Sequence, residues 1–532
     1  MTLPWDAATG DAIGATWLLA AIAPGGAFGR QARERERTFR RGDEARARER
    51  IALVDRAARE LDDARLGALR AAIAAAPDPR AALLRASAGG VLGDVDFFEL
   101  SRFLDSLGEV AALLAEGALP DLDVPAGGAA LRATLAAGRT PARTFYLDDG
   151  FDPALAAVRS AFAAAQAAYD AARNRLVERV ARQVGVDRVR DGEFVLMRDA
   201  LSGPVPAGVR VLREAPTYFL CEIALDEAAV AALAARDAAA ARVADAEEAV
   251  RAELSARVAE EAVELARACD VLGELDALCT RAQFARRYAC TLPAIPLESR
   301  VSFTDARYLP LEETLGRHGR AYSPVSLELA GMGVVTGPNM GGKTAALRTL
   351  GFLAACVALG LPVPAAAAGV PLFDDIAWIG IGAEAADDGL LSAFGGEVVA
   401  LRGFLERTGP RPLALVDEFA RTTSPREGRA LLIALLEALR ERGALGLAST
   451  HLAGIAAAAG LPHFTSGGLR ALEARDGPPL ALEAALARIA RAMDYRLTRV
   501  AEEAVPAADA LALAEALGLA HDVIERARAE LG

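Results

Sequence analysis

The 532-residue chain changes its hydrophobic rhythm three times. Residues 1 to about 130 carry apolar positions at helical spacing, broken at Pro77-Asp-Pro79 and Gly89-Gly90, and predict a run of helices. Asp152 suits an N-cap and Pro153 a first helical position, and neither Pro nor Gly follows until Gly185. A helix of roughly 50 Å is expected there. Glu193-Phe-Val-Leu-Met-Arg198 and Val209-Arg-Val-Leu-Arg213 alternate like short strands around the turn Gly203-Pro-Val-Pro206. Thr217 to Leu292 contains no proline and one glycine, Gly273, so most of it, from about Asp226, predicts a second long helix.

From about Val301 the rhythm becomes strand, glycine loop, helix, strand, helix, which predicts an α/β layer with a parallel sheet. The expected fold is α+β and multidomain. It comprises an all-α core over residues 1–130, long helical levers with a small β tip (about 185–225) over 131–300, and an α/β phosphate-loop domain over 301–532.

Composition sharpens this picture. Hydrophobic residues make up 53% of the chain but aromatics only 5%; the excess is alanine, which favours helices with small side chains. A net charge of −13 argues against a uniformly basic coat for nucleic acid. It leaves room for a local patch, and Arg173 to Arg213 holds nine arginines against five acidic residues. The mixed-charge run Arg30 to Arg50 reads as a solvated helix face.

Five cysteines without C-x-x-C spacing suggest neither a disulfide framework nor a zinc site, so a reduced, cytoplasmic location is expected. Ile13 to Phe28 follows acidic residues and contains Pro24, so it is not a signal peptide. Leu350 to Pro371 is broken by Pro362 and Pro364 and reads as core, so no membrane partner is expected.

The candidate chemistry centres on Lys343, the only lysine; the other 58 strongly basic residues are arginine. Gly337-Pro-Asn-Met-Gly-Gly-Lys-Thr344 fits G-x-x-x-x-G-K-[ST], after a strand at Gly331 to Thr336 and before an apolar helix through Leu359. Gly337, Pro338, Asn339, Met340, Gly341, Gly342, Lys343 and Thr344 would cradle ATP, with the compact ammonium reaching its phosphates and the Thr344 hydroxyl serving Mg²⁺. Pro412-Leu-Ala-Leu-Val-Asp417-Glu418 is a buried strand ending in two carboxylates. Asp417 suits Mg²⁺, and Glu418 is placed to orient and deprotonate a water. His451 ends another strand at the ligand-facing sheet edge and is read as a γ-phosphate contact.

These pieces, in this order, resemble the MutS family of ABC-type ATPases. Thr336 to Thr344 is similar to its phosphate loop, including Asn339-Met340, and Val363-Pro-Ala365 also matches. Asp388, Ser392-Ala-Phe394 and Glu397 resemble its signature stretch, which implies that Ser392 acts in trans on the nucleotide of an opposite subunit, in a homodimer or a heterodimer with a paralogue. Asp417 to Gly428 resembles the family's second carboxylate motif with departures: Ala420 and Thr422 stand for glycines, Pro425 for a threonine and Glu427 for an aspartate. Phe97 to Phe103, Tyr146 to Pro153 and Glu274 to Leu278 resemble parts of the helical core and levers. Met493-Asp-Tyr-Arg-Leu497 and Ala514 to Ala527 resemble C-terminal dimerisation helices (about 490–532). The chain begins where the family's core begins, so the mismatch-reading and connector domains are expected to be absent.

Two clients follow from the resemblance. DNA, in mismatch repair or recombination, is placed first. The alternative is a protein, because the loop Ala420-Arg-Thr-Thr-Ser-Pro425 resembles that of MutS-like ATPases that reactivate adenosylcobalamin-dependent lysine or ornithine aminomutases. Tyr322 is weighed as an adenine platform or a core residue.

Overall fold

In the computed structural model of the protein, the described residues are 3–115, 128–138, 144–186, 189, 192–201, 203–338, 341–380, 393–407, 409–469, 482–500 and 510–530. The chain mixes helices and sheets and divides into two compact units, one made of residues 1–75, 112–123 and 270–532, the other of 76–111 and 124–269. Among the described residues no helix is long and apolar enough to cross a membrane.

The first unit is built on a six-stranded sheet: β1 (Met332–Thr336), β2 (Ile376–Gly380), β3 (Leu413–Asp417), β4 (Leu445–Ser449), β5 (His463–Leu469) and β6 (Met493–Val500), in the order β6-β5-β1-β4-β3-β2. All neighbours are parallel except β5 and β6. The central strands are apolar on both faces, as a sheet covered on both sides requires. Leu413 and Leu415 of β3 join one buried cluster, and Ala414 and Val416 join the other. Helix α1 (Lys343–Ala358) lies in the first cluster; α2 (Pro425–Glu441) supplies Leu432, Leu435, Leu436 and Leu439 to the second.

The sequence expectation of a helical core over 1–130 needs revision. Residues 3–75 belong to the same unit as the sheet, and Ile13, Leu18 and Ile51 sit in one cluster with Leu350, Phe352 and Leu415. Their amphipathic spacing announced a buried face but not its partner. The fit is close: a Cβ on Gly351 would meet Ile13 Cγ2 at 2.5 Å and Leu415 Cδ1 at 2.7 Å. The backbone N–H of Trp378 in β2 donates to Thr9 Oγ1 at 3.2 Å.

The tail is also revised. Met493 to Leu497 lies in strand β6, paired antiparallel with β5, and not in a helix. Met493, Tyr495 and Leu497 alternate with Asp494 and Arg496, which is the strand period. Two helices do follow, Ala510–Ala516 and His521–Glu530.

In the second unit the first long helix runs Pro153–Val184, with Asp152 accepting from the Ala154 N–H and Gly185 ending it at φ 68°. Both ends match the capping residues read from the sequence. The second helix, Glu227–Arg287, has 61 residues, about 90 Å at 1.5 Å per residue; its residues up to 269 belong to this unit and the rest to the first. Arg159 ties the two helices through Glu247 at 2.9 Å. The tip has three strands: Glu193–Met197, Val209–Glu214 and, unforeseen, Tyr218–Ile223 between them. Its inner face, Phe194, Leu196, Cys221 and Ile223, packs on Leu176, Val180 and Ala229.

Because Ile13 is fully buried against α1, Ile13→Ala is expected to destabilise the first unit by about 2–5 kcal/mol. All three tryptophans, Trp5, Trp17 and Trp378, lie in or against that cluster, so denaturant unfolding followed by their fluorescence measures the loss.

Candidate functional site

Three parallel strands end level with one another. Ser449 of β4 pairs with Val335 of β1 on one side and with Asp417 of β3 on the other, so the phosphate loop, Asp417-Glu418 and His451 leave the sheet together. That carboxyl-end crevice is where α/β sheets bind ligands.

Gly342, at φ 87°, turns the loop into the N-terminus of α1. Gly337 lies at φ 145°, and a Cβ there would meet Ser466 Oγ at 2.1 Å. Asn339 and Met340 lie outside the described residues, as do Asp388 and Ser392. Lys343 is only 5% exposed; its ammonium donates to the carbonyls of Gly337 (2.9 Å) and Pro338 (3.1 Å). It lies 3.4 Å from His451 Nε2 and 3.8 Å from Glu418 Oε1. Burial pushes the ammonium below the ordinary lysine value, against the upward pull of Glu418 and Asp417.

Asp417 accepts from the Thr344 hydroxyl (3.1 Å to each oxygen) and the Ser449 hydroxyl (2.6 Å). Burial raises its carboxyl above the usual range; the two hydroxyls oppose this. A hydroxyl and a carboxylate side by side are oxygen donors of the kind magnesium takes. The crowded glycines leave a cradle where any Cβ would intrude, so these residues fit a nucleotide with its magnesium.

Glu418 stands in the left-handed region at φ 52°. For a non-glycine residue that costs on the order of 1–2 kcal/mol. Its N–H donates to Ser449 O at 3.1 Å and Oγ at 3.2 Å, which holds the turn. Its side chain bonds His451 Nε2 through Oε1 at 2.5 Å and takes Arg421 Nη1 on Oε2 at 2.8 Å. The bond to His451 is the main reason its carboxyl lies below the usual range, with Lys343 and Arg421 assisting against burial.

The altered loop after Glu418 has a local logic. Ala420, where the resemblance expects glycine, adopts φ 61°, and its N–H donates to Glu397 Oε2 at 2.9 Å. Burial raises the Glu397 carboxyl. Ser424 caps α2 by accepting from the Glu427 N–H at 3.3 Å, Pro425 takes the first helical position, and Ser424 Oγ donates to Glu427 at 2.6 Å. The departures at 425 and 427 thus form a helix start.

Sequence reasoning missed Ser449, Arg421 and Ser466. A hydroxyl ending a buried strand beside the carboxylate strand was the available signal for Ser449. Tyr322 is a core residue: its hydroxyl accepts from the Tyr308 N–H at 3.0 Å and it packs on the first cluster. Tyr495 of β6 lies nearer the loop, where a Cβ on Gly342 would meet its Cδ1 at 3.2 Å.

A level row of strand ends, a glycine cradle on a helix N-terminus and paired carboxylates define a phosphate-loop nucleotide-binding domain. Residues 333–531 match the MutS domain V family. Relatives include Endonuclease MutS2 of Geobacillus thermodenitrificans, 35% identical over 202 residues, and its namesake in Shouchella clausii, 33% identical over 208. Each match covers 37% of this chain and 25% of the relative. Endonuclease MutS2 of Clostridium botulinum is 34% identical over 185 residues, 34% of this chain and 23% of the relative. The chain therefore spans about a quarter of the length of these relatives. The likeness to the MutS family lies in this C-terminal domain.

Since burial disfavours the ionised Asp417 in the folded protein, Asp417→Asn is expected to raise the melting temperature of the nucleotide-free protein at pH 7. The gain should shrink as pH falls through the raised folded value and vanish below the ordinary aspartate value, where wild type is itself protonated. Thermal melts from pH 7 to pH 4 test this.

Proposed function

We propose that the protein is an ATP-hydrolysing conformational switch. The observation that carries this is the convergence of Lys343, Thr344, Asp417, Glu418 and His451 within 2.5–3.8 Å contacts at one sheet edge. The backbone from Gly337 to Gly342, including Asn339 and Met340, cradles the phosphates, and Lys343 neutralises them. Thr344 and Asp417 hold the magnesium, which when bound offsets charge on the phosphate oxygens. Glu418, kept ionised by its neighbours, orients and deprotonates the attacking water, and His451 contacts the γ-phosphate side. Each Glu418 oxygen accepts one hydrogen bond here, from His451 or Arg421, and keeps a lone pair that can accept from the attacking water. Ser392 completes the partner's site in a dimer, homomeric or with a paralogue.

For the client, the tip favours protein over DNA. Three of its arginines are paired internally: Arg179 with Asp226, Arg198 with Glu214 and Arg210 with Glu222. Beside the Arg210–Glu222 pair, its outer face exposes an apolar patch, Val195 (48% exposed) opposite Leu220 and Met197 (47% exposed) opposite Tyr218. Phosphate backbones call for free cations, and an apolar patch calls for a protein surface. This supports a reactivating ATPase for an adenosylcobalamin-dependent aminomutase, with ATP and Mg²⁺ driving release of damaged cofactor. DNA is the alternative.

Glu418→Gln should lower ATP turnover at least about 100-fold while nucleotide binding survives; unchanged turnover would sink the hydrolysis reading. Binding to duplex, junction and single-stranded DNA should be weak even at low salt. Tight binding that falls steeply with salt would restore DNA as client. With an inactivated aminomutase as substrate, wild type plus ATP should restore turnover, and Val195→Glu/Met197→Glu should not.

A further inference from the structure

Strand β5 runs parallel to β1 with Thr465 opposite Thr336, so its next residue, Ser466, comes up beside the phosphate loop. The pairing of β5 with β6 shifts register between Ser466 and Gly468, and a Cβ on Gly467 would meet Asp494 Cβ at 2.7 Å. A bulge of this kind re-aims a side chain. Ser466 Oγ consequently lies where a Cβ on Gly337 (2.1 Å) or on Gly341 (2.6 Å) would have to go.

That hydroxyl has no hydrogen-bond partner among the described residues, although the residue is only 4% exposed. Nearby polar side chains are satisfied: Thr336 by His463 at 2.8 Å, Lys343 by two carbonyls, and Thr344 by Asp417. An orphaned buried hydroxyl is a cost that an alanine would avoid while filling nearly the same space. The cost is explained if the partner belongs to another state of the loop. The Gly337 carbonyl accepts from the Lys343 ammonium at 2.9 Å.

We propose that Ser466 is a positioning residue for the phosphate loop: its hydroxyl holds the Gly337 end of the loop by hydrogen bonding when a nucleotide's phosphates draw Lys343 off the Gly337 and Pro338 carbonyls. This rests on the nucleotide-binding reading above. One donor leaves the loop backbone and a waiting donor replaces it, so the loop keeps its shape as the ammonium is committed to phosphate. The hydroxyl touches neither the reacting phosphate nor the water, and it acts through the backbone.

The test compares wild type, Ser466→Ala and Ser466→Cys by thermal melting without nucleotide and by calorimetric titration with ATP and Mg²⁺. Ser466→Ala should melt at or above wild type when free, yet bind ATP roughly five- to tenfold more weakly, the range of one lost hydrogen bond. Its KM should rise in step while kcat stays within about twofold. Ser466→Cys, with a weak donor of similar shape, should fall between the two. ATP affinity of Ser466→Ala within twofold of wild type would overturn the proposal and leave the serine as a small filler. A lowered melting temperature of free Ser466→Ala would also overturn it, by assigning the hydroxyl a structural bond. Failure of wild type itself to bind ATP would instead remove the nucleotide-binding reading.

Discussion

Burying an ammonium beside two carboxylates is the constraint on which the first unit depends. Charges taken out of water are tolerated only when each is paired and hydrogen-bonded. Lys343 meets this condition because two loop carbonyls, His451 and Glu418 surround it, and Asp417 because two hydroxyls face it. Such a constellation needs strand ends fixed to within fractions of an ångström. A sheet apolar on both faces, held from one side by α1 and the N-terminal helices and from the other by α2, provides that rigidity.

The site was legible in the sequence to the extent that its residues obey spacing rules. The glycine-rich loop, the apolar strand ending in Asp417-Glu418 and the uncommon lysine are local signals, and the structure brings their described members together. The pairing of Ser449 with Asp417 and the approach of Ser466 to Gly337 are not local. They arise from strand order and register, which separate residues by 32 and 129 positions. The left-handed turn at Glu418 is also invisible in sequence, because nothing about glutamate announces φ 52°.

The larger architecture shows the same division. Long helices with clear caps, Pro153–Val184 above all, follow from composition and capping alone. The assignment of the first helices to the sheet does not follow, because an amphipathic face identifies no partner. For β6 the family likeness obscured a signal that was present, since the alternation from Met493 to Leu497 reads as strand on its own. At the tip, the arginine count left a phosphate-contacting patch and an ordinary surface equally open, and the ion pairs show part of that charge already engaged within the fold.

Gly273 extends these points. It is the one glycine in the 61-residue helix, where it forgoes up to about 1 kcal/mol of helix propensity relative to alanine. Any Cβ there would meet the carbonyl oxygen of Phe28 at 2.7 Å and Ala32 Cβ at 3.0 Å. Solvent-facing positions along that helix are free to drift among helix formers, but this one admits no side chain. Chains of this architecture should thus be traceable across wide sequence divergence by a single fixed residue in an otherwise interchangeable run.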